Sequence, residues 1–131
     1  MIINGHIRVI VSTSEDFGIL VQHRGIIFKN EDTQYVLHQT FSGPEIITLK
    51  EYLEKRTKLW TKSYELKHEV DTDQVLADPR FEFFDLYTAN CENFVNTFIN
   101  EHTTTRHYHA SQQIVFWPLL ILALLIMNRK R

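Results

Sequence analysis

Two hydrophobic runs follow each other in the sequence, GILVQHRGIIF (residues 18–28) and QYVLHQT (residues 34–40). Both runs are rich in β-branched and aromatic residues, a composition typical of strands. The five residues between them, KNEDT (residues 29–33), are polar and predict a hairpin loop. The two runs therefore predict a pair of antiparallel strands joined by a short connection.

Each predicted strand contains one histidine, His23 in the first and His38 in the second. The number of residues from each histidine to the loop is similar, so the hairpin can bring both to one face of one sheet. Either histidine alone is typical of an ordinary core or surface position. Together they form a candidate pair of general base and orienting group.

The chain has a single cysteine, Cys91, and it stands where a helix is predicted to begin. Asn90 suits the N-cap, and apolar residues then recur with the helical period at Phe94, Val95, Phe98 and Ile99. The free N–H groups and positive dipole of a helix start favour a thiolate and hold an oxyanion. Two alternatives stay open: Glu92 raises the thiol pKa if it points inward, and free cysteines are commonly small buried apolar residues.

These elements resemble the lecithin retinol acyltransferase and phospholipase A/acyltransferase family, known for its H-box and NC-box. The matching segments are HRGIIF (residues 23–28), YVLH (35–38) and NCENFV (90–95). The family has the same order of histidine, histidine and cysteine, and the resemblance covers roughly residues 5–100. It implies an α+β fold with a small antiparallel sheet and packed helices, of the permuted NlpC/P60 papain-like type.

Carried over by position, the resemblance implies that Cys91 is the nucleophile, His23 the general base and His38 the residue that orients the imidazole. It also implies a glycerophospholipid as acyl donor. Cys91 would form a thioester with the acyl group, which then passes to water, an amine or an alcohol. The expected partners are a phospholipid membrane and the lipid donor and acceptor.

The chain departs from the family pattern at two positions. Arg24 stands where an aromatic residue usually follows the first histidine, and Asn93 replaces a histidine of the NC-box. With Asn90, these residues are the predicted substrate-binding positions. No cofactor and no metal are expected, because the three histidines of the segment 101–109 lack cysteine or carboxylate support.

The composition fits one small globular domain. The chain has 131 residues, of which 44% are hydrophobic, enough for a single core. A net charge of −2 gives no reason to expect nucleic acid, and the sequence has neither a glycine-rich phosphate loop nor paired cysteines. One cysteine permits no internal disulfide, which fits a reducing compartment.

The sequence from Thr48 onward predicts a helix, a further strand and an anchor. Thr48 and Glu51 form a capping-box pattern that predicts a helix at about 48–58, and a further strand is predicted at 63–67. Residues 114–127, IVFWPLLILALLIM, form an uninterrupted apolar run before a basic end. The sequence thus predicts a catalytic domain (1–101), a linker (102–112) and a C-terminal transmembrane helix (113–131) that leaves the domain in the cytosol.

Two functions of other classes stay open. The same catalytic triad serves cysteine peptidases and peptidoglycan amidases of the NlpC/P60 type. Alternatively, the altered NC-box at Asn93 permits a non-catalytic interaction module tethered to a membrane.

Overall fold

A computed structural model describes residues 1–15, 18–82 and 90–105 of the chain. Its secondary structure comprises seven strands, two short helices, a 3-10 turn and one longer helix in these residues. In chain order they are β1 (Ile2–Ile3), β2 (His6–Ser14), β3 (Gly18–Asn30), β4 (Thr33–Thr40), β5 (Gly43–Thr48), α1 (Leu49–Glu54), β6 (Lys58–Glu65), β7 (Val70–Asp71), α2 (Thr72–Leu76), the 3-10 turn (Pro79–Phe81) and α3 (Cys91–His102).

Five of the strands form one antiparallel sheet in the order β5-β4-β3-β2-β6, and β1 pairs with β7 separately. The predicted hairpin is confirmed, since β3 pairs with β4 from Ile26 opposite Leu37 to Asn30 opposite Thr33. The connection is a two-residue turn, shorter than the predicted loop, with Glu31 at a φ of 56°. The pattern of two hydrophobic runs around a polar segment therefore specified the centre of the sheet.

The sheet is covered on both faces, which explains why β3 reads as a continuous hydrophobic run. Successive strand residues point to opposite faces. Ile26 and Phe28 join the main core on the face that α3 covers through Phe94, Val95, Phe98 and Ile99. Ile27 belongs to a smaller cluster on the other face, where Tyr52 of α1 packs with Ile10 and Val36. Each face of β3 thus buries its own apolar side chains.

Helix α1 begins as predicted but is shorter. Thr48 caps it, and the Thr48 and Glu51 side chains form the reciprocal capping box. The helix ends at Glu54, whereas the sequence predicted a helix to residue 58. Residues 58–65 alternate between sheet faces and pair with β2, so they extend the sheet and the strand begins earlier than residue 63.

Helix α3 is capped at its start and connected at its end to the segment that follows β6. Asn90 caps its start, with the Asn90 side chain accepting a hydrogen bond from the Asn93 N–H. At its end, the His102 carbonyl accepts from the Lys67 N–H, and Leu66 forms a β-bridge with Thr103. The position of Cys91 is therefore determined by the packing of the whole helix.

The fold class predicted from the sequence was wrong. It joined a permuted NlpC/P60 arrangement of packed helices to a C-terminal transmembrane helix. The described residues form a small α+β unit with a five-stranded antiparallel sheet and few helices. Within the described ranges, every helix is too short or too polar to cross a membrane. The segment assigned to the anchor, residues 113–131, lies outside the described residues.

Gly25 of β3 allows β3 and β4 to approach closely. A Cβ atom at this position would lie 2.6 Å from Cγ1 of Val36 and 3.4 Å from Cβ of His38. The first distance is a steric clash with a stiff, buried side chain. Close packing of β3 against β4 therefore requires glycine at position 25. The same position lies next to His38, a candidate catalytic residue.

We expect Gly25→Ala to lower the free energy of unfolding by about 1–3 kcal/mol, because the added methyl overpacks the small cluster. Urea denaturation of Gly25→Ala, Val36→Ala and the double variant measures this effect. Val36→Ala removes the clashing atom, so the double variant should be more stable than the sum of the two single losses predicts. Ser63→Ala, at an exposed position of β6, is the control. Strict additivity would show that Gly25 is not sterically constrained.

Candidate active site

The two predicted histidines meet on one face of the sheet. His23 of β3 and His38 of β4 share a hydrogen bond of 2.8 Å between Nε2 of His23 and Nδ1 of His38. Their rings meet edge to face, with centroids 5.0 Å apart. Gly25 lies beside His38 across the two strands and two residues from His23. The shared face predicted from the strand pattern is confirmed.

The histidine pair is hydrogen-bonded to a carboxylate, that of Glu45, which was not predicted from the sequence. Glu45 of β5 pairs with His38 of β4, and its Oε1 lies 2.9 Å from Nε2 of His38. The side chain of Glu45 is 50% exposed, whereas that of His38 is 1% exposed. A signal for Glu45 exists in the sequence: His38 and Glu45 are equally distant from the turn at residues 41–42. Finding it required knowing that β5 continues the sheet.

Tyr52 of α1 packs beneath both imidazoles. Its ring centroid lies 5.7 Å from that of His23 and 5.6 Å from that of His38. Its hydroxyl shares a hydrogen bond of 2.7 Å with Oγ of Ser12, and the Arg56 guanidinium lies 4.8 Å from its ring centroid. Burial raises the pKa of Tyr52 to about 12. The phenol is therefore neutral at neutral pH, and it packs against both histidine rings without adding a charge.

Both histidines are neutral at neutral pH. Burial lowers the pKa of His23 well below its usual value, and the nearby His38 ring and Arg56 guanidinium lower it further. Burial also lowers the pKa of His38, although the Glu45 carboxylate opposes this. A neutral imidazole has the lone pair that a general base needs.

Cys91 is the first residue of α3, as the sequence predicted. Its thiol donates a hydrogen bond of 3.8 Å from Sγ to the carbonyl oxygen of Gln22. That carbonyl belongs to the peptide group that joins Gln22 to His23. The thiol thus contacts the backbone that leads into His23, in the stretch of β3 that precedes its pairing with β4.

The electrostatic surroundings of the thiol differ from those expected at a helix start. Cys91 is 9% exposed, and burial raises the pKa of its thiol. Glu92 points inward, and its charge raises that pKa further, as one alternative reading of the sequence anticipated. The backbone N–H and the guanidinium of Arg24 act in the opposite direction. Desolvation outweighs the helix start, so the resting form is the thiol.

The predicted substrate-binding residues take part in local structure around the helix start. Arg24 is buried, with its guanidinium 3.4 Å from the Glu92 carboxylate and 5.5 Å from the centroid of the Trp60 ring. Asn90 is buried as the N-cap. Asn93, in the first turn of α3, is partly exposed. Of the three, Asn93 is the one that the structure leaves accessible to a substrate.

Comparisons with protein-family models, with curated proteins and with solved structures found no match to this chain. In the part of the chain that the structure describes, no three histidine, cysteine or acidic side chains converge as metal ligands. The resemblance to the H-box and NC-box family stays a prediction, which is based on the motif residues and on their order.

We expect Glu92→Gln to lower the pKa of the Cys91 thiol, because it removes the negative charge that raises this pKa and keeps the positive charge of Arg24 that lowers it. The chain has one cysteine, so titration of the far-ultraviolet thiolate absorbance reports on Cys91 alone. Glu54→Gln, on the exposed side of α1, should leave the titration unchanged. A higher or unchanged thiol pKa in Glu92→Gln would contradict the proposed electrostatic balance.

The buried histidines also predict how stability depends on pH. Because the folded-state pKa values of His23 and His38 lie below the usual 6.5, the unfolded chain binds more protons as the pH falls. We expect the free energy of unfolding to decrease from about pH 7 to about pH 5. The raised pKa of Glu92 acts in the opposite direction, so variants must be compared.

Urea denaturation across this pH range measures the effect. His23→Gln should reduce the pH dependence, whereas His6→Gln, at an exposed position of β2, should leave it as in the native protein. Identical pH dependence in all three proteins would mean that His23 is not buried as a neutral group.

Proposed function

We propose that this protein is a thiol-dependent acyltransferase or phospholipase A that forms an acyl-enzyme on Cys91. The observation that carries the proposal is the arrangement of three side chains. His23 is hydrogen-bonded to His38 on one sheet face, and the Cys91 thiol at the helix start contacts the peptide group leading into His23. A nucleophile, a base and an orienting group are the requirements of acyl transfer through a thiol.

The first half-reaction starts with both partners uncharged. The neutral imidazole of His23 takes the proton from the Cys91 thiol as sulfur bonds to the ester carbonyl carbon. The carbonyl electron pair moves to oxygen, and the resulting oxyanion forms beside the amide N–H of Cys91 at the start of α3. Collapse of this intermediate breaks the ester C–O bond, and the leaving alcohol receives the proton from His23. A thioester remains on Cys91.

The second half-reaction regenerates the thiol. Water, an amine or an alcohol loses a proton to His23 as it attacks the thioester carbonyl, and the C–S bond breaks with return of a proton to sulfur. Water as acceptor corresponds to hydrolysis, and an amine or alcohol to acyl transfer. The same histidine acts as base and acid in both halves, which its neutral resting state permits.

Proton transfer must accompany the attack, because the thiol is not ionised beforehand. Burial raises the thiol pKa and lowers that of the imidazole, so a preformed ion pair of thiolate and imidazolium is unfavourable. The rate of acylation should therefore fall as the pH drops and the histidine pair becomes protonated, because the reaction needs the neutral imidazole.

The proposed substrate is a glycerophospholipid, which is the acyl donor that the H-box and NC-box resemblance implies. The ester bond of such a lipid offers the carbonyl carbon that the mechanism needs. A peptide or amide substrate uses the same three side chains, so the substrate class must be tested directly.

We expect an acyl adduct on the protein after incubation with phosphatidylcholine vesicles, seen by intact-mass spectrometry as the mass of one fatty acyl group. Cys91→Ser should remove the adduct, because a hydroxyl lacks the acidity that the thiol has. His23→Ala should slow adduct formation by about 10²–10⁴-fold, and His38→Gln by much less, since an amide still orients the ring. His6→Ala is the control for loss of an exposed histidine.

Three outcomes would oppose this proposal. Persistence of the adduct in Cys91→Ser would remove the nucleophile assignment. Equal losses in the two histidine variants would mean that the base and the orienting group are misassigned. Cleavage of peptide substrates without any reaction with lipid would favour the peptidase alternative.

A further inference from the structure

The carboxylate of Glu45 extends the histidine pair into a row of three hydrogen-bonded side chains. Glu45 Oε1 lies 2.9 Å from Nε2 of His38, and Nδ1 of His38 lies 2.8 Å from Nε2 of His23. The three residues come from three neighbouring strands, β5, β4 and β3. Both nitrogens of His38 are engaged, whereas only Nε2 of His23 belongs to the row.

We propose that Glu45 is a positioning residue that fixes the tautomers of His38 and His23, so that the free lone pair of His23 is on Nδ1. In the reaction, that atom takes the proton from Cys91. The proton transfer from Cys91 to His23 rests on the proposed function, whereas the tautomers are a property of the folded protein alone.

The tautomers follow from what each group donates and accepts. An ionised carboxylate only accepts hydrogen bonds, so Nε2 of His38 must carry its proton. Neutral His38 then has a lone pair on Nδ1, and Nε2 of His23 must donate to it. Neutral His23 is left with a lone pair on Nδ1. Burial of both rings maintains the neutral state that this sequence of hydrogen bonds requires.

Without the carboxylate, donor and acceptor can exchange in the hydrogen bond between the two imidazoles. Nδ1 of His38 can then carry the proton and donate to Nε2 of His23, which leaves the His23 proton on Nδ1. In that state the atom needed as base has no lone pair. The two arrangements have the same heavy-atom geometry, so the acceptor at the outer end of the row decides between them.

The other groups around His38 do not replace Glu45. Tyr52 packs against the ring of His38, but its hydroxyl is hydrogen-bonded to Ser12. Arg56 is cationic, lies on the Tyr52 ring and forms an ion pair with Glu15. Its charge disfavours protonation of His38, whereas that of Glu45 favours it. Among these groups, Glu45 is the one that accepts a hydrogen bond from His38.

The test compares Glu45→Gln, Glu45→Asp and the control Glu54→Gln in the full-length chain. The tautomers are read from long-range nitrogen–proton NMR correlations of the imidazole rings, which require no substrate. The native protein should show protons on Nε2 of both His23 and His38. An amide can either donate or accept, so Glu45→Gln should show a second population with Nδ1 of His23 protonated. Glu45→Asp, which only accepts, should restore the native tautomer.

Adduct formation with phosphatidylcholine vesicles then links the tautomers to the reaction. In Glu45→Gln we expect the maximal acylation rate to fall about tenfold with little change in the half-saturating lipid concentration. The acid limb of its pH profile should move to lower pH, because the variant loses the charge that favours protonation of the histidine pair. A tautomer pattern in Glu45→Gln identical to that of the native protein would overturn the proposal.

The two proposals fail separately. Native tautomers that depend on Glu45, in a protein that never forms an adduct, would support the positioning role and remove the acyltransferase function. An adduct that forms at the native rate in Glu45→Gln would overturn the role of Glu45 and leave Cys91 as nucleophile.

Discussion

The site depends on the register between β3 and β4. Ile26 stands opposite Leu37, and this register places Gly25 beside His38 with His23 two residues further along the same face. A shift by one residue would move His38 to the other face, because side chains alternate along a strand. The register is maintained by apolar side chains buried on both faces of β3. The hydrogen bond between the imidazoles is therefore a consequence of core packing.

Burial of the site has opposite effects on its two reactive groups. It raises the pKa of the Cys91 thiol and lowers that of the His23 imidazole, so both rest in the uncharged form. The Glu92 carboxylate and the Arg24 guanidinium, paired beside the thiol, modify this balance in opposite directions. Such a site gives up the high resting reactivity of a thiolate. A buried neutral thiol is also less easily oxidised than an exposed thiolate.

Three side chains from three strands and one from a helix start contribute to the proposed chemistry. The strands provide the base and its supports at fixed distances, and the helix provides the nucleophile at its first residue. Regular elements hold reactive groups more accurately than loops do. The capped start of α3 and its connections to β6 at the far end extend this rigidity to Cys91. The paired strands and the capped helix start thus hold the Cys91 thiol against the backbone of β3 next to His23.

Local sequence patterns were enough to predict the hairpin of β3 and β4, the start of α1 at its capping box, and Cys91 as the first residue of a helix capped by Asn90. These features depend on neighbouring residues, through strand alternation, turn polarity and cap hydrogen bonds. Four features followed from tertiary packing: the length of α1, the place of residues 58–65 in the sheet, the contact between Glu45 and His38, and the protonation state of the thiol. The reason is that strand pairing brings together residues far apart in the chain, and desolvation depends on what packs around a group. Local sequence patterns predict neither.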